Sequence, residues 1–279
     1  MSPTVDTIPI ARQKRNRFLL QAACIAVSLF MLIPIYLISL AALSTRASLN
    51  DFPLSLLPTN LSVETLNGFL GATGIFGALG NSLIVGAGTL VLAALIGVPA
   101  GYALARFSFR GKDPYQLFLL FTRALPIVVL SVPLARLFLT VDIYDTTYAV
   151  ILLHTALALP TTILISASVF LSVPIDVEEA ARLFGCSPLG AFGRVVLPMA
   201  LPGLAAASIF TFVMSWNEVL GASILTLDHR TLPAQVLSSL SDSPLAYRFA
   251  GGFALVIPSI IFIALMRRYL TNMWGSTIR

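Results

Sequence analysis

Long runs of apolar residues constrain how this chain can fold more than any other feature. A helix needs roughly 20 apolar residues to cross the hydrocarbon core of a bilayer. Six segments of the sequence meet this requirement: residues 18–43, 79–105, 115–138, 147–171, 196–220 and 249–270. A helix also satisfies its own backbone hydrogen bonds, as a lipid environment demands. We therefore predict an all-α membrane protein with six transmembrane helices.

The composition excludes a water-soluble globular protein. Charged residues make up 10% of the 279 residues and hydrophobic residues 57%, whereas soluble domains carry about 25% charged residues. The first apolar run follows Arg12, Lys14, Arg15 and Arg17, and it is too long for the core of a cleaved signal peptide. We therefore expect residues 18–43 to be retained as the first transmembrane helix. The basic residues are dispersed among apolar runs, which argues against a nucleic-acid partner.

The positions of the basic residues predict the orientation of the helices. Cytoplasmic segments of membrane proteins carry an excess of Lys and Arg. If the N-terminus is cytoplasmic, Arg123 falls within the third span and the other basic residues fall into two unequal sets. The cytoplasmic set is Arg12, Lys14, Arg15, Arg17, Arg106, Arg110, Lys112, Arg182, Arg194, Arg267, Arg268 and Arg279, and the outer set is Arg46, Arg136, Arg230 and Arg248. The excess predicts that both termini lie in the cytoplasm.

A short polar segment, residues 174–198, interrupts the apolar sequence between the fourth and fifth spans. Asp176 is suited to cap a helix whose third residue is Glu179, the arrangement of a capping box. Glu178 and Arg182 are four residues apart with the acid first, which favours an ion pair on one face of a helix. The segment is therefore predicted to begin with a helix on the cytoplasmic side.

The second half of this segment carries the signals of a turn and a returning helix. Gly185 suits the left-handed position that ends a helix, and Ser187 followed by Pro188 suits the start of another. An amphipathic helix lying among lipid headgroups is one interpretation. The acidic first turn is unfavourable beside an anionic leaflet, which favours the other interpretation, contact with a protein partner.

The spacing of this segment resembles the EAA loop in the permease subunits of ABC importers. The pattern of that loop is EAA-x3-G-x9-I-x-LP. The matching residues here are Glu179, Ala180, Ala181, Gly185, Val195, Leu197 and Pro198, with Val195 in place of isoleucine. Three other stretches, NSL at 81–83, GYALARF at 101–107 and SWNE at 215–218, are similar to the MalG-type carbohydrate permeases of this family.

The resemblance implies a type I ABC importer permease with the MetI-like fold. It implies a single transmembrane domain over 1–279, with a first helix at 18–43, a core at 79–268 and the EAA loop at 174–198. It assigns coupling to a cytoplasmic ATPase to six residues: Glu179, Ala180, Ala181, Gly185, Leu197 and Pro198. It further implies a second permease subunit, an ATPase dimer, an extracytoplasmic solute-binding protein and a multi-pass location in the lipid of the cell inner membrane.

The chain has no G-x4-GK[ST] motif for binding nucleotide phosphates. We therefore expect that it does not hydrolyse ATP and is not an enzyme as a permease subunit. We also expect it to hold no cofactor, with ATP and Mg²⁺ bound by the partner ATPase. Two cysteines and two histidines in separate segments predict neither a metal site nor a set of catalytic residues.

Polar residues within the spans are candidates for a solute pathway, because burying charge in a bilayer is costly. Arg123 would face a water-filled cavity and pair with an anionic solute or with Glu218; the alternative is that it snorkels or pairs with a partner helix. Asn217 and Glu218 would line the pathway, or else form an interfacial cap with Trp216 in the aromatic belt. His154 is expected to be packed or hydrogen-bonded.

Three polar residues near the predicted outer surface are expected to be structural. Asn81 is interpreted as a helix cap, and Asp142 and Asp145 as solvated residues that could touch a docking protein.

The resemblance makes a carbohydrate or sugar derivative the expected solute. Because Arg123 could pair with an anion, an acidic or sulfonated sugar is one candidate. The alternatives within the class are a polyamine or a phosphate-like anion. Two alternatives lie outside the class of importer permeases: a non-transporting membrane scaffold and an integral-membrane enzyme. The acids and histidines are scattered, which does not favour an enzyme.

Overall fold

The computed structural model describes residues 10–49, 55–239 and 243–275, with side chains described between residues 17 and 266 of those ranges. Within these ranges the regular secondary structure is helical, apart from an isolated antiparallel bridge between Ser44 and Leu61. The elements in chain order are α1 (Ile10–Ala42), α2 (Glu64–Leu70), α3 (Ile75–Arg106), α4 (Lys112–Thr122), α5 (Ile127–Thr140), α6 (Thr147–Ser172), α7 (Ile175–Leu183), α8 (Pro188–Ala191), a π-helical segment (Phe192–Val196), α9 (Leu197–Asn217), α10 (Leu220–Leu225), α11 (Leu232–Ser239) and α12 (Leu245–Gly275).

Among the described residues, five helical stretches are long and apolar enough to cross a membrane. Four of them lie close to predicted spans, in α1, α3, α6 and α12. The fifth runs over Pro188–Asn217, so it begins eight residues before the predicted start at residue 196. The π-helical turn keeps this stretch continuous and joins the polar segment directly to α9.

The predicted third span, residues 115–138, is not one helix. α4 and α5 meet at an angle of 90°, and only if this bent pair counts as one span does the total reach six. Pro126 lies at the break with an extended backbone, ψ 133°. Proline offers no N–H for the helical ladder and disfavours helical geometry in the residue before it. Arg123 is therefore the C-cap of α4 and not a residue in the middle of a helix.

The described residues form two compact units. The first comprises Met1–Phe69 and Pro244–Phe253 as far as these are described, and it contains α1, α2 and the start of α12. Most apolar side chains of α1 are exposed, as expected for a helix that faces lipid. In the loop after α1, the Arg46 guanidinium lies over the Tyr247 ring, 5.3 Å from its centroid.

The second unit, Leu70–Ser243 and Ala254–Arg279 as far as described, is organised around α3, α6 and α9. Gly101 lets α3 approach α6 closely, because a Cβ atom there would lie 2.6 Å from Ser166 Cβ and 2.8 Å from the backbone nitrogen of Ala167. Thr162 of α6 and Thr211 of α9 are hydrogen-bonded at 3.0 Å. Small residues and buried hydroxyls thus hold this core together.

One of the two interpretations of the end of the fifth span placed Trp216 at the membrane interface, but it is buried, with 1% of its surface exposed. Its ring stacks on Phe212, and its indole N–H donates a hydrogen bond to the carbonyl of Leu255, 2.9 Å away. A buried indole needs such a partner, and α12 supplies it.

Candidate functional sites: a polar elbow and an internal cavity

The segment of residues 174–198, here called the elbow, begins differently from the prediction. α7 starts at Ile175 with Pro174 as its N-cap, and no side chain caps it. The predicted capping box between Asp176 and Glu179 is therefore wrong. The helix starts two residues earlier than the pattern suggested, which places Asp176 inside the first turn, where it can no longer act as the cap.

The end of α7 and the start of α8 are as predicted. Gly185 has φ +90°, its N–H bonds to the carbonyl of Arg182, and the N–H of Cys186 bonds to the carbonyl of Ala181. These two bonds make the Schellman motif, which requires a left-handed residue and so favours glycine. The Ser187 hydroxyl then accepts a hydrogen bond from the N–H of Gly190, and Pro188 begins α8.

The solvent-exposed side of the elbow carries large apolar side chains. Leu183, Phe184 and Leu189 are 89%, 91% and 83% exposed. Glu179 is also exposed, while Ala180 and Ala181 are half-buried. This surface lies within a segment that is polar in sequence, and contiguous exposed apolar groups of this kind mark an interaction site.

The opposite side of α7 is held by Glu178, which is buried with 3% of its surface exposed. Its carboxylate accepts hydrogen bonds from the Tyr102 hydroxyl (2.5 Å), from Nε of Arg106 (3.0 Å) and from Arg182 (2.6 Å). The predicted ion pair of Glu178 with Arg182 is confirmed. The links to Tyr102 and Arg106, more than 70 residues away, were not predicted, although GYALAR was noted as a motif.

A cavity of about 1150 Å³ in the second unit is lined by the three residues predicted for a solute pathway: Arg123, Asn217 and Glu218. The remaining lining is mostly apolar and comes from α4, α5, α6, α9 and α10. The Arg123 side chain is exposed at the end of α4. A cavity with an apolar lining and a few convergent polar groups is typical of a small-molecule site.

The proposed pairing of Arg123 with Glu218 is absent, because Glu218 has other partners. Its carboxylate accepts a hydrogen bond from Nε2 of His154 at 3.0 Å and from the backbone N–H groups of Gly221 and Ala222 at the start of α10. The other ring nitrogen of His154 bonds to the Ser215 hydroxyl at 2.8 Å. His154 is fully buried, so its interpretation as a hydrogen-bonded histidine is confirmed.

Two residues interpreted as a cap and a solvated acid instead organise the segment after α10. Asn81 lies inside α3, and its amide donates to the carbonyl of Arg230 at 3.1 Å. Asp145 accepts hydrogen bonds from the N–H groups of Leu227, Asp228 and His229. Burial raises the pKa of the Asp145 carboxyl, but these three N–H donors outweigh it and hold the pKa below its ordinary value.

Within the described residues, no group of three or more His, Cys, Asp and Glu side chains could hold a metal ion.

Residues 97–273 match the family described as the inner membrane component of binding-protein-dependent transport systems. The chain is 31% identical over 245 residues to the trehalose transport system permease protein SugB of Mycobacterium tuberculosis, covering 86% of this chain and 89% of that protein. It is 31% identical over 240 residues to the sulfoquinovosyl glycerol transport system permease protein SmoH of Agrobacterium fabrum, covering 84% and 82% of the two chains.

A chain in the crystal structure of a bacterial ABC transporter for import of the acidic polysaccharide alginate has the same fold, with a TM-score of 0.70 and 20% identity over 96% of this chain and 99% of that one. The protein is a helical integral membrane permease with the MetI-like type I fold. It belongs to the family of binding-protein-dependent transport system inner membrane components.

Proposed function

We propose that this chain is one permease subunit of an ATP-driven importer that moves a carbohydrate or sugar derivative across the cell inner membrane by alternating access. The names of its relatives, permeases for trehalose and for sulfoquinovosyl glycerol, support a sugar as the solute. The observation that carries the proposal is the elbow, which presents Leu183 and Phe184 almost fully exposed at the end of α7 that Gly185 terminates.

The elbow docks on a partner ATPase, which supplies the energy. Glu179, Ala180, Ala181 and Gly185 belong to the docking helix and its turn. Leu197 and Pro198 begin α9 directly after the π-helical segment and pass movement of the elbow along that helix. ATP and Mg²⁺ are held by the ATPase dimer, and the chain itself is not an enzyme. The complete importer also contains a second permease and an extracytoplasmic solute-binding protein.

The orientation that brings the elbow to the ATPase has both termini in the cytoplasm. It takes α4 and α5 together as the third of six spans. The distribution of Lys and Arg supports this orientation. Several of the basic residues used in that argument, among them Arg12, Lys14, Arg15, Arg267 and Arg268, have side chains outside the described part of the chain, and Arg279 lies entirely outside it. The domain limits 1–279, 18–43 and 79–268 also stay predictions.

The solute passes through the cavity lined by Arg123, Asn217 and Glu218. One observation favours an anionic sugar: the Arg123 side chain is exposed at this cavity, and Glu218 already bonds to His154. The relative that carries sulfoquinovosyl glycerol and the importer of an acidic polysaccharide are consistent with such a solute.

Retention of the ATPase by the purified permease tests the proposal. Phe184→Ser removes an apolar anchor from the elbow, and we expect it to lower the amount of ATPase that co-purifies about tenfold, the effect of losing roughly 1.4 kcal/mol at an interface. Leu57→Ser, which also changes a largely exposed apolar residue, should leave retention unchanged. Equal retention by the Phe184 variant and the unmodified chain, together with unchanged uptake, would show that the elbow is not the docking site.

A further inference from the structure

One buried side chain of α7, Glu178, binds side chains of α3. All nine residues of α7 are described, and Glu178 alone among them is buried. On one side α7 is preceded by Pro174, and on the other it ends at Gly185 with φ +90°. Both ends therefore interrupt the helical hydrogen-bond pattern. α7 also packs against α8 and the π-helical segment, so its movement can reach the core through Glu178 or through these two elements of the elbow.

The lateral attachment reaches α3 and the end of α6. Tyr102 and Arg106 lie one turn apart near the end of α3, and both bind the Glu178 carboxylate. Arg106 also donates from Nη2 to the carbonyl of Val173, the C-cap of α6, at 2.8 Å. One guanidinium thus ties the end of α6 and the carboxylate of α7 to α3.

The same cluster touches the route along the chain. The Tyr102 ring lies 4.6 Å from the ring of Phe192, measured between centroids, and 5.4 Å from that of Phe170. Phe192 begins the π-helical segment that leads into α9, and Phe170 belongs to α6 and is fully buried. Tyr102 therefore packs against both elements while its hydroxyl binds α7.

The chemistry of the cluster makes it stiff. The side chains of Glu178 and Arg106 are 4% and 8% exposed, and both carboxylate oxygens are used. Breaking one member of a buried, hydrogen-bonded ion pair leaves an unpaired charge, which is strongly unfavourable. The cluster should therefore hold as α7 moves, instead of exchanging its partners for water.

We propose that Glu178, Arg106 and Tyr102 form a clamp through which movement of the elbow is passed directly to α3, in parallel with the covalent route to α9. Glu178 and Arg106 are positioning residues. This inference rests on the proposed function, because the movement originates in the docked ATPase. It assigns to Glu178 a role different from that of its exposed neighbour Glu179, which belongs to the docking surface.

Two cysteine reporters in one groove can distinguish movement passed to α3 through the clamp from movement passed along the chain to α9. Val98 of α3 and Leu201 of α9 line the same apolar groove of about 570 Å³. Each is replaced singly by cysteine in a chain with Cys24→Ser and Cys186→Ser, and the full importer is reconstituted in lipid vesicles. The rate of maleimide labelling is measured with and without Mg-ATP and vanadate. In the parent complex, both reporters should change their labelling rate on addition of nucleotide.

Glu178→Gln should preserve ATPase retention and the response at Leu201→Cys, while the response at Val98→Cys falls about fivefold or more, the lower end of typical coupling effects. Asp176→Asn removes an exposed acid from the same helix and should preserve both responses. If Glu178→Gln impairs assembly, Tyr102→Phe is used in its place, since it removes only one hydroxyl from the clamp. We expect the same fall in the labelling response at Val98→Cys and no change at Leu201→Cys.

The outcomes distinguish the two proposals. A normal nucleotide response at both reporters in the Glu178→Gln or Tyr102→Phe complex overturns the clamp and leaves the proposed function standing. A parent complex that retains no ATPase, or responds at neither reporter, overturns both.

Discussion

Asp145 joins two parts of the chain that are 82 residues apart in sequence. It precedes α6, and it binds three consecutive N–H groups after α10. Its backbone is left-handed, with φ 58°, a conformation that aspartate tolerates better than most residues. The side chain therefore supplies the acceptor for three consecutive N–H groups of the segment after α10.

We expect Asp145→Asn to lower the free energy of unfolding by about 1 kcal/mol at pH 7, because the charged acceptor is lost. The pKa of Asp145 is lower in the folded protein than its ordinary value of 3.8. Its stabilisation is therefore complete above that ordinary pKa and is lost as the pH falls through the folded value. Thermal unfolding in detergent should show the variant and the parent chain converging under strongly acidic conditions.

Asp142→Asn is the matched control, because Asp142 also has a positive φ, 56°, and is exposed. The free energy of unfolding of this variant should stay within about 0.5 kcal/mol of that of the parent chain. Equal effects of the two substitutions at pH 7 would show that the hydrogen bonds of Asp145 do not stabilise the fold.

His154 shows what residue-level reasoning could not anticipate. The sequence indicates that a lone histidine within a span needs a partner, but Glu218 was considered only as one of two partners for Arg123, the other being an anionic solute. Glu218 accepts hydrogen bonds from N–H groups at the start of α10 and from His154 of α6, whereas the break at Pro126 leaves Arg123 at the end of α4. Opposite charge suggested that Glu218 pairs with Arg123, but the direction of the Glu218 side chain places it beside His154.

At the scale of elements, close contact between α3 and α6 depends on glycine. Gly101→Ala would place a methyl group 2.8 Å from the backbone nitrogen of Ala167, which cannot rotate away. We expect a destabilisation of about 1–3 kcal/mol from forced separation of the helices, measured as a lower unfolding temperature in detergent.

Gly80→Ala tests whether this effect is local, since Gly80 lies in the same helix with nothing within 4 Å of an added Cβ. It should be neutral or stabilising by up to about 1 kcal/mol. A Gly101 variant as stable as the Gly80 variant would mean that α3 and α6 do not need this close approach.

The ends of the elements were predictable where one residue type controls them. Gly185 and Ser187 were assigned correctly, because a left-handed C′ residue and a hydroxyl cap act within a few residues of the chain. The start of α7 and the break in the third span were not. Both involve a proline, Pro174 or Pro126, whose effect depends on whether neighbouring helices compensate for the lost hydrogen bond.

At the scale of the whole molecule, the cavity brings Arg123, Asn217 and Glu218 to one space, although the first lies some 90 residues before the others. Arg123→Ala should weaken uptake of a sugar that carries a carboxylate or sulfonate, raising its KM about tenfold through loss of a charge-assisted contact. Uptake by the reconstituted importer, with assembly checked by ATPase retention, measures this effect.

Arg136→Ala provides the comparison, because Arg136 is an exposed arginine of α5 outside the cavity lining. It should leave KM unchanged. If neither substitution affects uptake of any charged sugar, Arg123 has no part in solute selection.

Hydropathy was sufficient to predict a helical membrane protein, and the resemblance of the spacing from Glu179 to Pro198 to the EAA loop was sufficient to predict a permease. These signals are local, because length against the bilayer, helix capping and turn geometry depend on neighbouring residues. The partners of the buried charges were settled by packing. Glu178 meets Arg106, and Glu218 meets His154, only because α3, α6, α7 and α9 come together. A carboxylate excluded from water binds the donors that the fold places beside it. The four-residue spacing predicted Arg182 as a partner of Glu178, but the local sequence carries no information about partners on other helices.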